Sequence, residues 1–239
     1  FGKIVVNAVD YCDLKVLAIA LYRAVAKGKQ YLFRTAAALV KVMGGISDKP
    51  LLTRKEMVTC ENTNGGIIVV GSHTAKTTSQ LEELKKVPGL EFLEFNSDLV
   101  LDGEAFAKEI QDTVRREEEL IRAGKTVVVY TRRKLLVIEN DTREEALLRS
   151  VKISEAVQSL VGKLSVTPAF VIAKGGITSS DVGTKALQVK RADVMGQIRP
   201  GIPVWKTGEE SRFPGIPYVI FPGNVGEVTT LREAVEILK

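Results

Sequence analysis

A three-layer α/β/α fold around a mixed, largely parallel sheet is what this sequence predicts. Short apolar runs of strand length recur between longer helical patterns, which is the signature of alternating strands and helices. Several of those runs end in glycine-rich turns that lead straight into a helical pattern. The last third changes character: short strands there are joined by Pro/Gly-rich turns (RPGIP, FPGIP, FPGN) instead of helices, so part of the sheet is expected to be antiparallel.

Taken in order, Ile4 to Val9 is an apolar run that reads as a strand. A helix is expected over Asp13 to Lys27, with Leu14, Leu17, Ala18, Leu21 and Val25 at helical spacing and Gly28 as its stop. Gln30 to Phe33 reads as a short strand, and Ala36 to Met43 as a helix of small residues closed by Gly44-Gly45. Ile46 to Leu52, which holds Pro50, reads as a linker. The expected domains are therefore residues 1–45 and residues 46–239.

In the second part, Gly65 to Gly71 (GGIIVVG) is a buried strand, followed by the Ser72-His73-Thr74 turn and a helix over Ala75 to Lys86. Leu90 to Phe95 alternates as a strand. Gly103 to Ala123 is an amphipathic helix with Phe106, Ile110, Val114, Leu120 and Ile121 inward. Its run Arg115 to Glu119 is read as a solvated face. Thr126 to Tyr130 is the next strand, and a second long amphipathic helix runs from Glu144 to Leu164. Ala169 to Ala173 is a strand that meets the turn Lys174 to Asp181 (KGGITSSD). Asp193 to Ile198, Val204-Trp205 and Tyr218 to Phe221 are the late strands, and a helix over Glu227 to Leu238 follows.

Composition bounds the function classes. Apolar content of 45% and charged content of 26% are ordinary for a globular protein. A formal charge of +5 with scattered basic residues argues against nucleic acid and suits anionic small molecules. No apolar run of about 18 residues predicts a membrane span. Cys12 and Cys60 are too few and too far apart for a disulfide scaffold or a metal site, so reduced thiols and a cytoplasmic location are expected. The chain has neither a signal-peptide pattern nor an initiator Met, and it reads as a fragment of a longer protein.

Three strand-to-helix turns carry the chemistry: Gly71 to Thr74, Lys174 to Asp181, and Pro222 to Gly226. Glycines let backbone N–H groups approach a ligand without a Cβ in the way. A helix that starts at such a turn adds unpaired N–H groups and the positive end of its dipole, a setting for phosphate. Each turn alone also reads as simple chain reversal, with Thr178 or Ser179 as a helix cap. On neighbouring parallel strands the three would converge on one crevice, at the carboxyl ends where open α/β sheets bind ligands. Neither the Walker-type nor the dinucleotide glycine fingerprint is present, which sets hydride transfer last.

Around these turns, His73 reads either as a general base or as a hydrogen-bonding structural residue. Ser72 reads as a hydrogen-bond donor, since GSHTA is not a nucleophile elbow. Asp181 would either reach a bound Mg²⁺ or complement the helix dipole. Arg132-Arg133-Lys134 would either support an anion site or form a surface loop. Trp205 would stack on a base or pack in the core. No metal site is expected from protein ligands.

The stretches FRTAAALVKVMGGI, GGIIVVGSHTAKTTSQL, VVVYTRR, FVIAKGGITSSDVGTKAL and VMGQIRPGIPVWKTGEESRFPGIPYVIFPGNVG together resemble the four-carbon acid sugar kinase family along essentially the whole chain. They also look like the kinase segment of larger fusions with a dehydrogenase and an aldolase. The resemblance implies a substrate domain followed by an ATP-binding domain, with Mg²⁺ brought by ATP. The implied reaction is phosphorylation of the terminal hydroxyl of threonate, erythronate or 3-oxo-tetronate. Carried over by motif, the ATP contacts are Ser72, Gly175, Gly176, Ile177, Thr178 and Gly223. The family's DDLTG-type motif does not occur here, so residues 1–45 correspond only to the tail of the sugar-acid domain and no catalytic base is assigned. The alternative is a non-catalytic nucleotide- or ligand-binding protein that keeps the fold. A homodimer is compatible with either.

Overall fold

A computed structural model describes residues 2–58 and 62–239, arranged as two compact units, Phe1–Lys49 and Pro50–Lys239. Cys60 lies outside the described residues, and Cys12 is a free, exposed thiol.

The first unit holds helices α1 (Tyr11–Ala26) and α2 (Ala37–Met43). Asp10 caps α1 by accepting from the N–H groups of Cys12 and Asp13, and the Asp13 carboxylate returns a bond to the cap backbone. Tyr22 donates its hydroxyl to the Met43 carbonyl and ties the two helices. The strands expected at Ile4 to Val9 and Gln30 to Phe33 do not form. A strand needs a ladder partner for its N–H and C=O groups, and neither segment has one among the described residues. Ile4 is 75% exposed and Val9 97% exposed, so hydrophobicity alone did not make these segments strands.

The second unit begins with the short α3 (Arg54–Met57) and continues as β1 (Ile67–Val70), α4 (Ala75–Leu84), β2 (Leu90–Phe95), α5 (Gly103–Arg122), β3 (Thr126–Thr131), α6 (Arg143–Gly162) and β4 (Val171–Lys174). Next come α7 (Gly176–Asp181), which runs on into a π-helical turn over Val182–Ala186, then β5 (Ala192–Arg199), β6 (Ile202–Thr207), β7 (Pro217–Phe221) and α8 (Thr230–Leu238). The sheet order among the described residues is β2-β3-β1-β4-β7-β6-β5. The first five strands in that order are parallel, and β6 runs antiparallel to both β7 and β5. This is the mixed, mostly parallel α/β sheet expected from the sequence.

The central strands are buried on both faces, which is why they read as unbroken apolar runs. In β1, Ile67 and Val69 face one core, together with Leu160 and Val161 of α6 and Ile121 of α5. Ile68 and Val70 face the other, with Leu81 and Leu84 of α4 and Leu231 and Val235 of α8. Each such side chain contributes about 1.5–3 kcal/mol on burial. The two glycines before β1 are set by contact: a β-carbon on Gly66 would lie 2.2 Å from the Phe170 ring, and one on Gly65 would lie 1.8 Å from the Lys125 carbonyl oxygen. The last helix starts at Thr230, three residues later than expected, because Gly226 turns at φ +82° and the Thr230 hydroxyl accepts from the Glu227 N–H.

Candidate functional site

Since β1, β4 and β7 are adjacent and parallel, the turns that leave them lie side by side on one edge of the sheet. They are stitched together: Gly71 N–H donates to the Lys174 carbonyl, and Gly175 N–H donates to that of Phe221. They also touch through glycines. A β-carbon on Gly175, where φ is +129°, would lie 3.1 Å from both Ser72 Cβ and Thr178 Oγ1. One on Gly223 would lie 3.3 Å from Ser72 Oγ and 3.8 Å from Gly175 Cα. The structure thus brings Ser72, Gly175, Thr178 and Gly223 into one cluster.

Hydroxyl groups line this meeting point. Thr77 Oγ1 lies 3.2 Å from Ser72 Oγ and from the Gly223 carbonyl oxygen. Thr74 Oγ1 lies 3.3 Å from Ser72 Oγ and 3.4 Å from that same carbonyl. Thr74 also caps α4 by accepting from Thr77 N–H. Gly176 opens α7, and a β-carbon there would meet nothing within 4 Å. Beside it Ile177 is 73% exposed, an apolar side chain at the lip of the turn. Neither Thr178 nor Ser179 caps α7: the cap position is Gly175, and the Ser179 hydroxyl donates to the Ala173 carbonyl behind it.

Three cations surround the turns without a salt bridge among the described residues, although the charge of Glu82 acts on Arg133. Lys174, 0% exposed, donates Nζ to the carbonyls of Pro222 at 2.7 Å and Gly223 at 3.2 Å, above the Phe221 ring at 4.2 Å. Burial, aided by the charge of Lys76, lowers its pKa to about 8. Lys76 donates to the Gly226 carbonyl. Arg133 donates Nη2 to the Ser72 carbonyl at 2.6 Å and to Thr78 Oγ1 at 3.0 Å, while its buried Nε and Nη1 have no hydrogen-bond partner among the described residues. Lys76 has no role in the sequence reading, and Lys174 stands there only as the first residue of its turn. The signal was a lysine closing an apolar strand directly before paired glycines.

The remaining candidates take structural places. His73 Nε2 lies 3.0 Å from the Arg132 carbonyl oxygen, joining the β1 turn to the end of β3. Burial and the neighbouring Arg133 hold its pKa below the usual histidine value, so the ring is neutral at pH 7. Asp181 accepts from Ser154 and pairs with Lys185. Arg132 pairs with Asp98. Trp205 packs edge-on against Tyr218, with centroids 6.2 Å apart. Among the described residues no three His, Cys, Asp or Glu side chains are grouped to hold a metal ion, and no helix is long and apolar enough to cross a membrane.

The fold is an α/β domain with three glycine-bearing turns on one edge of its sheet. Residues 67–231, from β1 into α8 and including all three turns, match the family described as the nucleotide-binding C-terminal domain. The chain belongs to this family, the nucleotide-binding part of the four-carbon acid sugar kinase group its motifs resemble. Among solved structures, a Haemophilus influenzae protein of family DUF1537 is similar with a TM-score of 0.62 and 20% identity, over 98% of this chain and 53% of that one. A Bordetella bronchiseptica domain of unknown function from the same family, a domain-swapped dimer with bound citrate, gives a TM-score of 0.55 and 21% identity, over 97% of this chain and 52% of that one. The chain therefore spans about half the length of these structures. No curated protein matches it.

Proposed function

We propose that this chain supplies the ATP-binding part of a cytoplasmic kinase for four-carbon sugar acids of the threonate, erythronate or 3-oxo-tetronate type. The observation that carries this reading is the contact between the three turns, where Ser72, Gly175 and Gly223 meet beneath the open position above Gly176. Phosphoryl transfer calls for positioning and electrostatic stabilisation rather than protein covalent chemistry. Hydroxyls, close-approach backbone and uncompensated cations supply those means on the donor side. The phosphates would lie over Gly175 and Gly176 against Ser72 and Thr178, with Gly223 on the far side. Ile177 offers an apolar surface for ribose or base. Mg²⁺ would arrive with the nucleotide and be held largely by phosphate oxygens and water, since Asp181 is engaged by Lys185 and Ser154.

On this reading residues 1–45 are the tail of a sugar-acid domain, and residues 46–239 bind the nucleotide. A homodimer is part of the proposal, as the Bordetella relative is a domain-swapped dimer. Titration calorimetry with ATP and ADP, with and without Mg²⁺, tests it: binding is expected, and no binding under either condition overturns it. Without a DDLTG-type stretch, the chain is expected not to phosphorylate threonate by itself. A second reading is a nucleotide- or ligand-binding protein that keeps the fold without an acceptor site. Turnover on mixing with a separate DDLTG-bearing substrate domain separates the two.

A further inference from the structure

Several cations of this unit sit in ion pairs. Arg132 meets Asp98, Arg149 meets Asp141, Lys185 meets Asp181 and Arg199 meets Glu233. Lys76 and Lys174 are the contrast. They approach the Pro222–Gly226 turn from α4 and from the end of β4, and among the described residues their hydrogen bonds go only to its backbone carbonyls. Burying an ammonium without a counter-charge is costly, and carbonyl dipoles offset only part of the cost. The Phe221 ring, 4.2 Å from the Lys174 ammonium, adds a cation–π contact, which is also weaker than a counter-charge. The two lysines also repel one another, the second cause of the lowered Lys174 pKa. Two like charges aimed at one turn, beside a cluster of hydroxyls and bare glycines, are arranged for a polyanion.

We propose that Lys76 and Lys174 form a two-ammonium clamp that exchanges the carbonyls of the Pro222–Gly226 turn for oxygens of the terminal phosphates, so that the crevice selects a nucleoside triphosphate over a monophosphate. The proposal rests on the nucleotide reading above and adds to it the residues that sense the length of the phosphate chain. Lys174 is fully buried, so its engagement requires the β7 turn to shift when the ligand enters. Lys76 is exposed and reaches the ligand without rearrangement.

The test is calorimetry on the full chain with ATP, AMP and inorganic tripolyphosphate, for the wild type, Lys76→Ala, Lys76→Arg and Lys174→Met. Each lost charge-assisted hydrogen bond is expected to weaken ATP and tripolyphosphate by about 10- to 100-fold and leave AMP unchanged. Lys76→Arg is expected to recover most of the loss. Lys76→Ala is a surface change with one hydrogen bond to lose, so it carries the test even where Lys174→Met fails to fold. Variants that bind ATP and keep the wild-type ratio of ATP to AMP affinity overturn the clamp and leave the nucleotide site standing. A wild type that binds neither ATP nor AMP overturns both.

Discussion

Gly71 and Thr178 touch across the gap between β1 and β4: a β-carbon built on Gly71 would lie 2.4 Å from Thr178 Oγ1. The hydroxyl of one turn thus occupies the space that any other residue's side chain would need in the next. Gly71→Ala is expected to force Thr178 aside and cost about 1–3 kcal/mol of stability, the range for overpacking. Thr178→Ala removes the obstructing Oγ1, so the double variant is expected to recover much of that loss. Urea denaturation of the four proteins in the cycle measures the coupling. Additive effects would show that the two turns do not depend on one another.

Gly176 tests the ligand and not the fold. It lies at the first position of α7, and a β-carbon there has open space. Gly176→Leu is therefore expected to fold with its thermal midpoint little changed. The new side chain would stand where a phosphate has to approach the backbone, and nucleotide binding is expected to fall below detection by calorimetry. Unchanged affinity in a folded variant would remove this turn from the site.

The contrast between these two glycines shows what the sequence makes legible and what it does not. Both stand in motifs visible in the chain, and the order of strands and helices from Gly65 onward follows from periodicity and turn residues. That the β1, β4 and β7 turns lie side by side does not follow from any local pattern. It comes from the crossover that sets β4 between β1 and β7, a long-range pairing. The misread strands at Ile4 to Val9 and Gln30 to Phe33 fail for the same reason, since β-structure needs a partner that local sequence cannot supply. Lys174 was hidden because a lysine at the end of an apolar run is ordinarily a solvated residue. Only the fold places the Pro222 and Gly223 carbonyls around it.

Lys174 also sets a pH dependence. Its pKa is lowered from 10.5 to about 8 in the folded chain, so between those values the unfolded state binds more protons than the native one. Its contribution to stability therefore rises with pH across that window and is flat below about 8. Nucleotide binding goes the other way: phosphate favours the ammonium, and affinity is expected to fall as pH rises past about 8. Measurement of both from pH 7 to pH 10 in the wild type and Lys174→Met checks the assignment. A slope that survives in Lys174→Met belongs to another group.

Glu117 gives the opposite dependence from a different part of the fold. It lies on α5 within the Arg115 to Glu119 run read as a solvated face, yet it is fully buried, because its position on the helix turns it inward, and neither carboxyl oxygen has a hydrogen-bond partner among the described residues. Burial, with the charge of Glu118 adding to it, raises its pKa well above the usual carboxylate value. Above about pH 4.5 the unfolded chain releases this proton while the native state keeps it, so stability is lost as pH rises from there toward the folded pKa. Glu117→Gln removes the titration and is expected to flatten that slope, yet it leaves polar atoms buried without partners. Glu117→Met removes the unsatisfied atoms as well and packs with Val114 and Ile121 on the same face of α5. It is expected to stabilise the protein by about 1–3 kcal/mol at pH 7, the cost of an unsatisfied buried group. Urea denaturation at pH 5 and pH 8 separates the two effects: Gln should flatten the slope, and Met should also raise the midpoint at both pH values. A Met variant less stable than wild type would mean that the carboxyl has a partner in solution, a bound water or a moved side chain, and that the helix face around it is built for polarity.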